Sequence, residues 1–95
     1  MHKTLVFTAT YNEAENIKEF IDEIFKINKN IDLLIIDDNS PDRTYEIVES
    51  IKSNKNNIFL IKRNSKLGLN TAHILAYEYA LKNKYEKLIT LDADM

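Results

Sequence analysis

Ile31-Asp32-Leu33-Leu34-Ile35-Ile36-Asp37-Asp38 is the stretch that decides the fold. Ile31 to Ile36 is a nearly unbroken run of β-branched and leucine residues, the pattern of a strand covered by helices on both faces. The run closes on two carboxylates. Carboxylates are costly to bury, so their place at the end of a buried run points to a site rather than to packing. A second run has the same form: Leu88-Ile89-Thr90-Leu91 closes on Asp92-Ala93-Asp94. Parallel strands would bring both acidic ends to one sheet edge, where open α/β sheets bind ligands. A nucleoside diphosphate with a hard divalent cation suits such an edge.

Working outward, Leu5 to Ala9 reads as a first strand and Ile58 to Ile61 as a third. Between the strands, apolar residues recur at three- and four-residue steps. Ala14, Ile17, Phe20, Ile21, Ile24 and Phe25 mark a first helix, and Ile47, Val48 and Ile51 a second. Ala72, Leu75, Ala76 and Tyr79 mark a third. Asn12 reads as the cap of the first helix, with Glu15 completing a capping box. Ser40-Pro41-Asp42 reads as the start of the second: a capping serine, proline at the first helical position, an acid in the first turn. Alternation at this spacing demands parallel strands and right-handed crossovers. The expected fold is α/β, a Rossmann-like three-layer sandwich with sheet order 3-2-1-4. Strands one and four then meet at the topological switch point. The loop Thr10 to Glu13 faces Asp92 and Asp94, with Asp37 and Asp38 next door.

The chain has 95 residues, enough for one domain, here residues 1–95. Its net charge of -2 leaves no basic excess to displace the counterions of a nucleic acid, so no nucleic-acid partner is expected. No cysteine is present, which excludes disulfides and thiolate metal sites. No apolar stretch approaches the ~20 residues of a membrane span, and no signal peptide is evident, so a cytoplasmic location is expected.

The acidic clusters carry the chemistry. In Asp92-Ala93-Asp94, residues two apart on an extended segment face the same way, so both carboxylates can meet one cation. Oxygen ligands alone suit Mg²⁺ or Mn²⁺ better than Zn²⁺. The bland alternative is a solvated turn, where Asp is common. Asp37 and Asp38 would repel by about 4 kcal/mol at ~4 Å and an effective dielectric of 20. A cation, or a ligand rich in donors, is expected to relieve them. Tyr11 could stack near a base, and Glu13 could accept from a base or ribose; Asn12 and Glu13 serve equally well as helix caps. Lys62, Arg63 and Lys66 form a basic loop able to meet a diphosphate. His73 stands alone and reads as a packing or surface residue. A G-x-G-x-x-G fingerprint, a P-loop and a G-x-S-x-G elbow are all absent.

Four segments together resemble family 2 glycosyltransferases of GT-A fold, in the branch similar to dolichyl- or polyprenyl-phosphate mannosyltransferases. They are Thr10-Tyr11-Asn12-Glu13-Ala14-Glu15-Asn16-Ile17, Ile36-Asp37-Asp38-Asn39-Ser40-Pro41-Asp42, Lys66-Leu67-Gly68-Leu69 and Leu91-Asp92-Ala93-Asp94. The resemblance implies a partial GT-A fold, the nucleotide-binding half. It implies inverting transfer of a sugar from a GDP- or UDP-sugar to a lipid phosphate, at the cytoplasmic face of a membrane in a complete enzyme. It assigns Tyr11, Asn12, Glu13, Asp38, Arg63, Lys66 and Asp92 to the donor nucleotide, and Asp92 and Asp94 to Mg²⁺ or Mn²⁺. A general base and an acceptor site are expected beyond Met95, so these 95 residues alone are expected to be inactive. Two departures stand out: Asn70 where a glycine is common, here expected to cap the third helix, and Arg43 where a glycine often follows Ser-Pro-Asp. A nucleotide-sensing module, a phosphatase with Asp92 as nucleophile and Asp94 as acid, and a purely structural fragment are the competing readings.

Overall fold

Four strands run parallel in the order β3-β2-β1-β4 in the computed structural model, which describes residues 2–64 and 69–93, with the backbone alone at Leu69. Their ranges are β1 Thr4–Thr10, β2 Asp32–Asp37, β3 Ile58–Lys62 and β4 Lys87–Thr90. Helices α1 (Ile17–Ile27), α2 (Thr44–Lys52) and α3 (Leu69–Lys82) form the crossovers. The expected 3-2-1-4 sheet is the sheet observed. Every residue of β2 is buried, which accounts for its unbroken apolar run.

Strand alternation divides the core into two layers. Val6, Leu33, Ile35 and Ile58 face α1 and α2, where Ile17, Phe20, Ile21, Ile24 and Val48 cover them. Leu5, Phe7, Leu34 and Ile36 face α3, where Ala72, Ala76 and Ala80 allow a close approach. His73 packs edge-on against Phe7, with ring centroids 5.3 Å apart, a packing role as expected.

At the amino edge of the sheet, buried Asp32 accepts from the Tyr85 hydroxyl at 2.5 Å, and Tyr85 stacks on Tyr79. This bond ties the α3–β4 turn to the start of β2. At one side of the sheet β4 is an edge strand. Beside it, Val6, Ile24, Ile27, Ile31, Ile89 and Leu91 line an apolar groove. Ile27, Ile89 and Leu91 are 83%, 44% and 43% exposed, so this face of the sheet is only partly covered by α1.

Two helix starts differ from the sequence reading. Helix α1 begins at Ile17 behind Asn16, not behind Asn12, and the Asn16 side chain makes no capping bond among the described residues. Helix α2 begins at Thr44 behind Arg43, not at Pro41. The side chains of Asn12 and Ser40 bond across to neighbouring loops instead, so neither caps its own helix. Asn70 lies within α3, one residue after its first, and is therefore not a cap outside the helix.

Candidate functional site at the carboxyl edge of the sheet

The carboxyl ends of the four parallel strands share one rim. Tyr11, Asn12 and Glu13 follow β1, Asp38 follows β2, Arg63 follows β3 and Asp92 follows β4 by two residues. Tyr11 and Glu13 are half-buried, while Asn12 and Asp92 are exposed. Lys66 and Asp94 lie outside the described residues, as does Gly68. The sheet ladder continues into the rim. Asp38 N–H donates to the Thr10 carbonyl at 3.2 Å, and Arg63 N–H donates to the Asp37 carbonyl at 2.7 Å. These bonds fix the backbone from which the site side chains project.

Asp37 and Asp38 part company at the end of β2, because successive residues point to opposite faces. Asp37 turns towards α1 and α2 and is fully buried. It accepts from Thr10 Oγ1 at 2.6 Å, from Ser40 N–H at 2.9 Å and from Ser40 Oγ at 2.7 Å. Asp38 turns towards α3 and meets Arg63: Nε donates to Oδ1 at 2.5 Å and Nη2 to Oδ2 at 2.8 Å. Within the chain itself, the two neighbouring acids expected to need a cation or a donor-rich ligand already have partners. Hydroxyl and amide donors satisfy one carboxylate, a guanidinium satisfies the other, and the two acids occupy opposite faces.

A second network joins the β1–α1 loop to the β2–α2 loop. Asn12 N–H donates to Ser40 Oγ, and Glu13 N–H to Thr44 Oγ1, each at 3.0 Å. Ala14 N–H donates to Asp42 Oδ2 at 3.0 Å, and Asp42 N–H returns a bond to Asn12 Oδ1 at 3.3 Å. Thr44 gives Asp42 Oδ1 both its N–H and its hydroxyl. Burial by itself would raise the Asp42 carboxyl. The bonds from Thr44 and from the backbone of Ala14 and Thr44 outweigh it and hold the group below its ordinary 3.8. Asn12 and Asn39 take left-handed backbone, with φ of 58° and 55°, a conformation that asparagine tolerates better than most residues. Asn39 also bridges to the next loop, donating through Nδ2 to the Asn64 carbonyl at 3.2 Å.

The sequence reading overlooked Ser40, Asp42 and Thr44 as the frame that holds Tyr11 and Glu13 in place. The signal was present: Ser, Asp and Thr within five positions are the residues that bond to nearby backbone. Thr71 was also overlooked; it accepts from Arg63 Nη1 at 2.9 Å. Lys62, next to Arg63, points the other way and lies over the Tyr45 ring, 4.1 Å from its centroid. The basic cluster is thus divided between two faces.

Asp92 offers one oxygen-donor carboxylate on the rim. Among the described residues no group of three or more His, Cys, Asp or Glu could enclose a metal ion. An oxygen donor of this kind suits a hard divalent ion, which can take one or two protein carboxylates and complete its shell with phosphate oxygens and water. Among the described residues no helix is long and apolar enough to cross a membrane.

Comparison with known proteins agrees with this architecture. The polyprenol monophosphomannose synthase of Mycolicibacterium smegmatis is 30% identical over 93 residues, which cover 97% of this chain and 35% of the relative. The dolichol-phosphate mannosyltransferase of Pyrococcus furiosus is 33% identical over 95 residues, covering 98% of this chain and 26% of the relative. The chain therefore spans about a third or less of the length of these relatives. Among solved structures, the mannosyltransferase PcManGT of Pyrobaculum calidifontis, in complex with GDP-Man and Mn²⁺, superposes with a TM-score of 0.81. At 23% identity, over 97% of this chain and 27% of that one, it bears out the partial GT-A fold. Residues 5–95 match the family described as glycosyl transferase family 2, and the chain belongs to that family.

Proposed function

We propose that residues 1–95 are the donor-binding part of an inverting glycosyltransferase that moves a sugar from a nucleoside diphosphate sugar to a polyprenyl or dolichyl phosphate. The observation that carries this reading is the rim itself. Tyr11, Glu13, Asp38 and Asp92 follow three different strands of one parallel sheet and share its carboxyl edge. Tyr11 offers a ring for stacking, while Glu13 and Asp38 offer acceptors for the N–H and hydroxyl groups of a nucleoside. Asp92, with Asp94 outside the described residues, would hold Mg²⁺ or Mn²⁺, which supplies charge neutralisation for the departing diphosphate when bound. The mannosyltransferase names of the relatives and the GDP-Man and Mn²⁺ of the structural neighbour support this ligand class.

A phosphate acceptor is already anionic and needs little help from a base. The residues of this rim therefore bind and orient the donor. Isothermal titration with GDP and UDP, with and without Mn²⁺, tests the reading. Binding strengthened by Mn²⁺ and lost in Asp92→Asn is the expected result. Tight binding indifferent to metal would instead make the chain a nucleotide sensor. Sugar transfer to polyprenyl phosphate by these 95 residues alone would overturn the assignment to a donor part only.

A further inference from the structure

Arg63 and Asp38 form a nearly enclosed ion pair at the rim, with side chains only 9% and 11% exposed. The guanidinium meets the carboxylate with two parallel prongs, while its third nitrogen donates to Thr71 on α3. The three residues come from the end of β2, the end of β3 and the first turn of α3. Asp38 and Arg63 both face the α3 side of the sheet, as strand alternation requires, and Thr71 meets them from α3 itself. A two-pronged contact fixes both the place and the rotation of a carboxylate, which a point charge such as an ammonium does not. At contact distance the guanidinium charge is matched by Asp38, so a phosphate further off meets a neutral pair.

We infer that Arg63 is a positioning residue: it orients the Asp38 carboxylate as an acceptor for the nucleoside of the donor and is not a ligand of the diphosphate. The inference rests on the donor-binding reading above. It reverses the sequence expectation, in which the basic loop meets the diphosphate through Arg63. A carboxylate can accept a two-pronged arginine and further donors together. Thr71 holds the guanidinium from the α3 side, so three elements share in aiming one acceptor.

The test compares ligands that differ only in phosphate. Guanosine, GDP, uridine and UDP are titrated into the wild-type chain, Arg63→Gln and Arg63→Lys, with Mn²⁺ present throughout. For the base series that binds, Arg63→Gln weakens nucleoside and diphosphate by the same factor, roughly tenfold. Arg63→Lys keeps the charge and restores neither. A loss confined to the diphosphate, or recovery of diphosphate binding in Arg63→Lys, overturns the inference and leaves the donor-binding reading standing. A wild-type chain that binds none of the four removes that reading and this inference with it. Should the variants fail to fold, the Arg63 Nε–H resonance of the wild-type chain decides by NMR. It moves equally with nucleoside and diphosphate if Arg63 positions Asp38. A displacement produced by the diphosphate alone contradicts the inference.

Discussion

Thr10 Oγ1 donates to Asp37 Oδ1 at 2.6 Å, joining the last residues of two strands that stand in register. Asp37 is buried and also takes two bonds from Ser40. Its carboxylate thus closes the carboxyl edge between β1 and β2. Asp37→Ala would leave buried hydroxyl and amide donors without an acceptor, at a cost of about 3 kcal/mol. The urea midpoint should fall accordingly with the slope unchanged. A variant as stable as the parent would show that these bonds contribute nothing.

Asp42 gives the fold an acid-sensitive joint between two rim loops. Its carboxyl lies below 3.8 in the folded chain because Thr44 and the Ala14 backbone hold the charged form. As pH falls the unfolded chain takes up this proton first. The stabilisation is therefore complete above 3.8 and fades as pH drops through the lower folded value. The stability gap between the parent and Asp42→Ala should narrow below that pH. A gap that stays constant from neutral pH down through the acid range would contradict the linkage.

Arg43 sits in left-handed backbone, with φ of 62°, immediately before α2. That conformation costs a residue with a Cβ about 1 kcal/mol and costs glycine almost nothing. Among the described residues the Arg43 side chain makes an exposed contact with Glu46 at 3.9 Å, and exposed pairs of this kind contribute little. Arg43→Gly should therefore stabilise the chain by up to about 1 kcal/mol, read as a higher melting temperature. A lower melting temperature would mean that the extra freedom of glycine in the unfolded chain outweighs the relief.

Tyr85 donates to Asp32 at the opposite edge of the sheet. Burial first, then the bond to Asp32 and its charge, push the Tyr85 hydroxyl above its ordinary 10.0. In the unfolded chain it ionises near 10.0, so this stabilisation is whole below that pH and is lost as pH climbs beyond it. Tyr85→Phe should cost roughly 2 kcal/mol near neutrality, because it takes a donor from a buried carboxylate. It should also flatten the alkaline loss of stability. An unaltered alkaline slope would point to another group.

Much of the fold is legible in the chain because its strands are short apolar runs with helix-period segments between them. Once β2 reads as buried on both faces, the parallel sheet and its order follow from connectivity. The makeup of the candidate rim is legible in outline, since acids, tyrosine and arginine follow their strands on one side. Its wiring is not. Asp37 and Asp38 are neighbours in sequence, yet pleating sends one to Ser40 and the other to Arg63. Asn12 and Ser40 carry the residue types of helix caps, but bonds between loops win because each satisfies groups on both loops. Local pattern cannot report such choices, because the competing partner lies about thirty residues away.

The β4 edge has a thermodynamic consequence. Among the described residues, the four-residue strand that leads to Asp92 is one of the two edge strands and has a half-covered apolar face beside it. Any polypeptide that pairs along that edge stiffens the segment from which Asp92 extends. If such stiffening strengthens capture of a metal-bound nucleotide, capture must strengthen the pairing by the same factor. Assembly along one side of this sheet and ligand binding at its rim are then one coupled equilibrium.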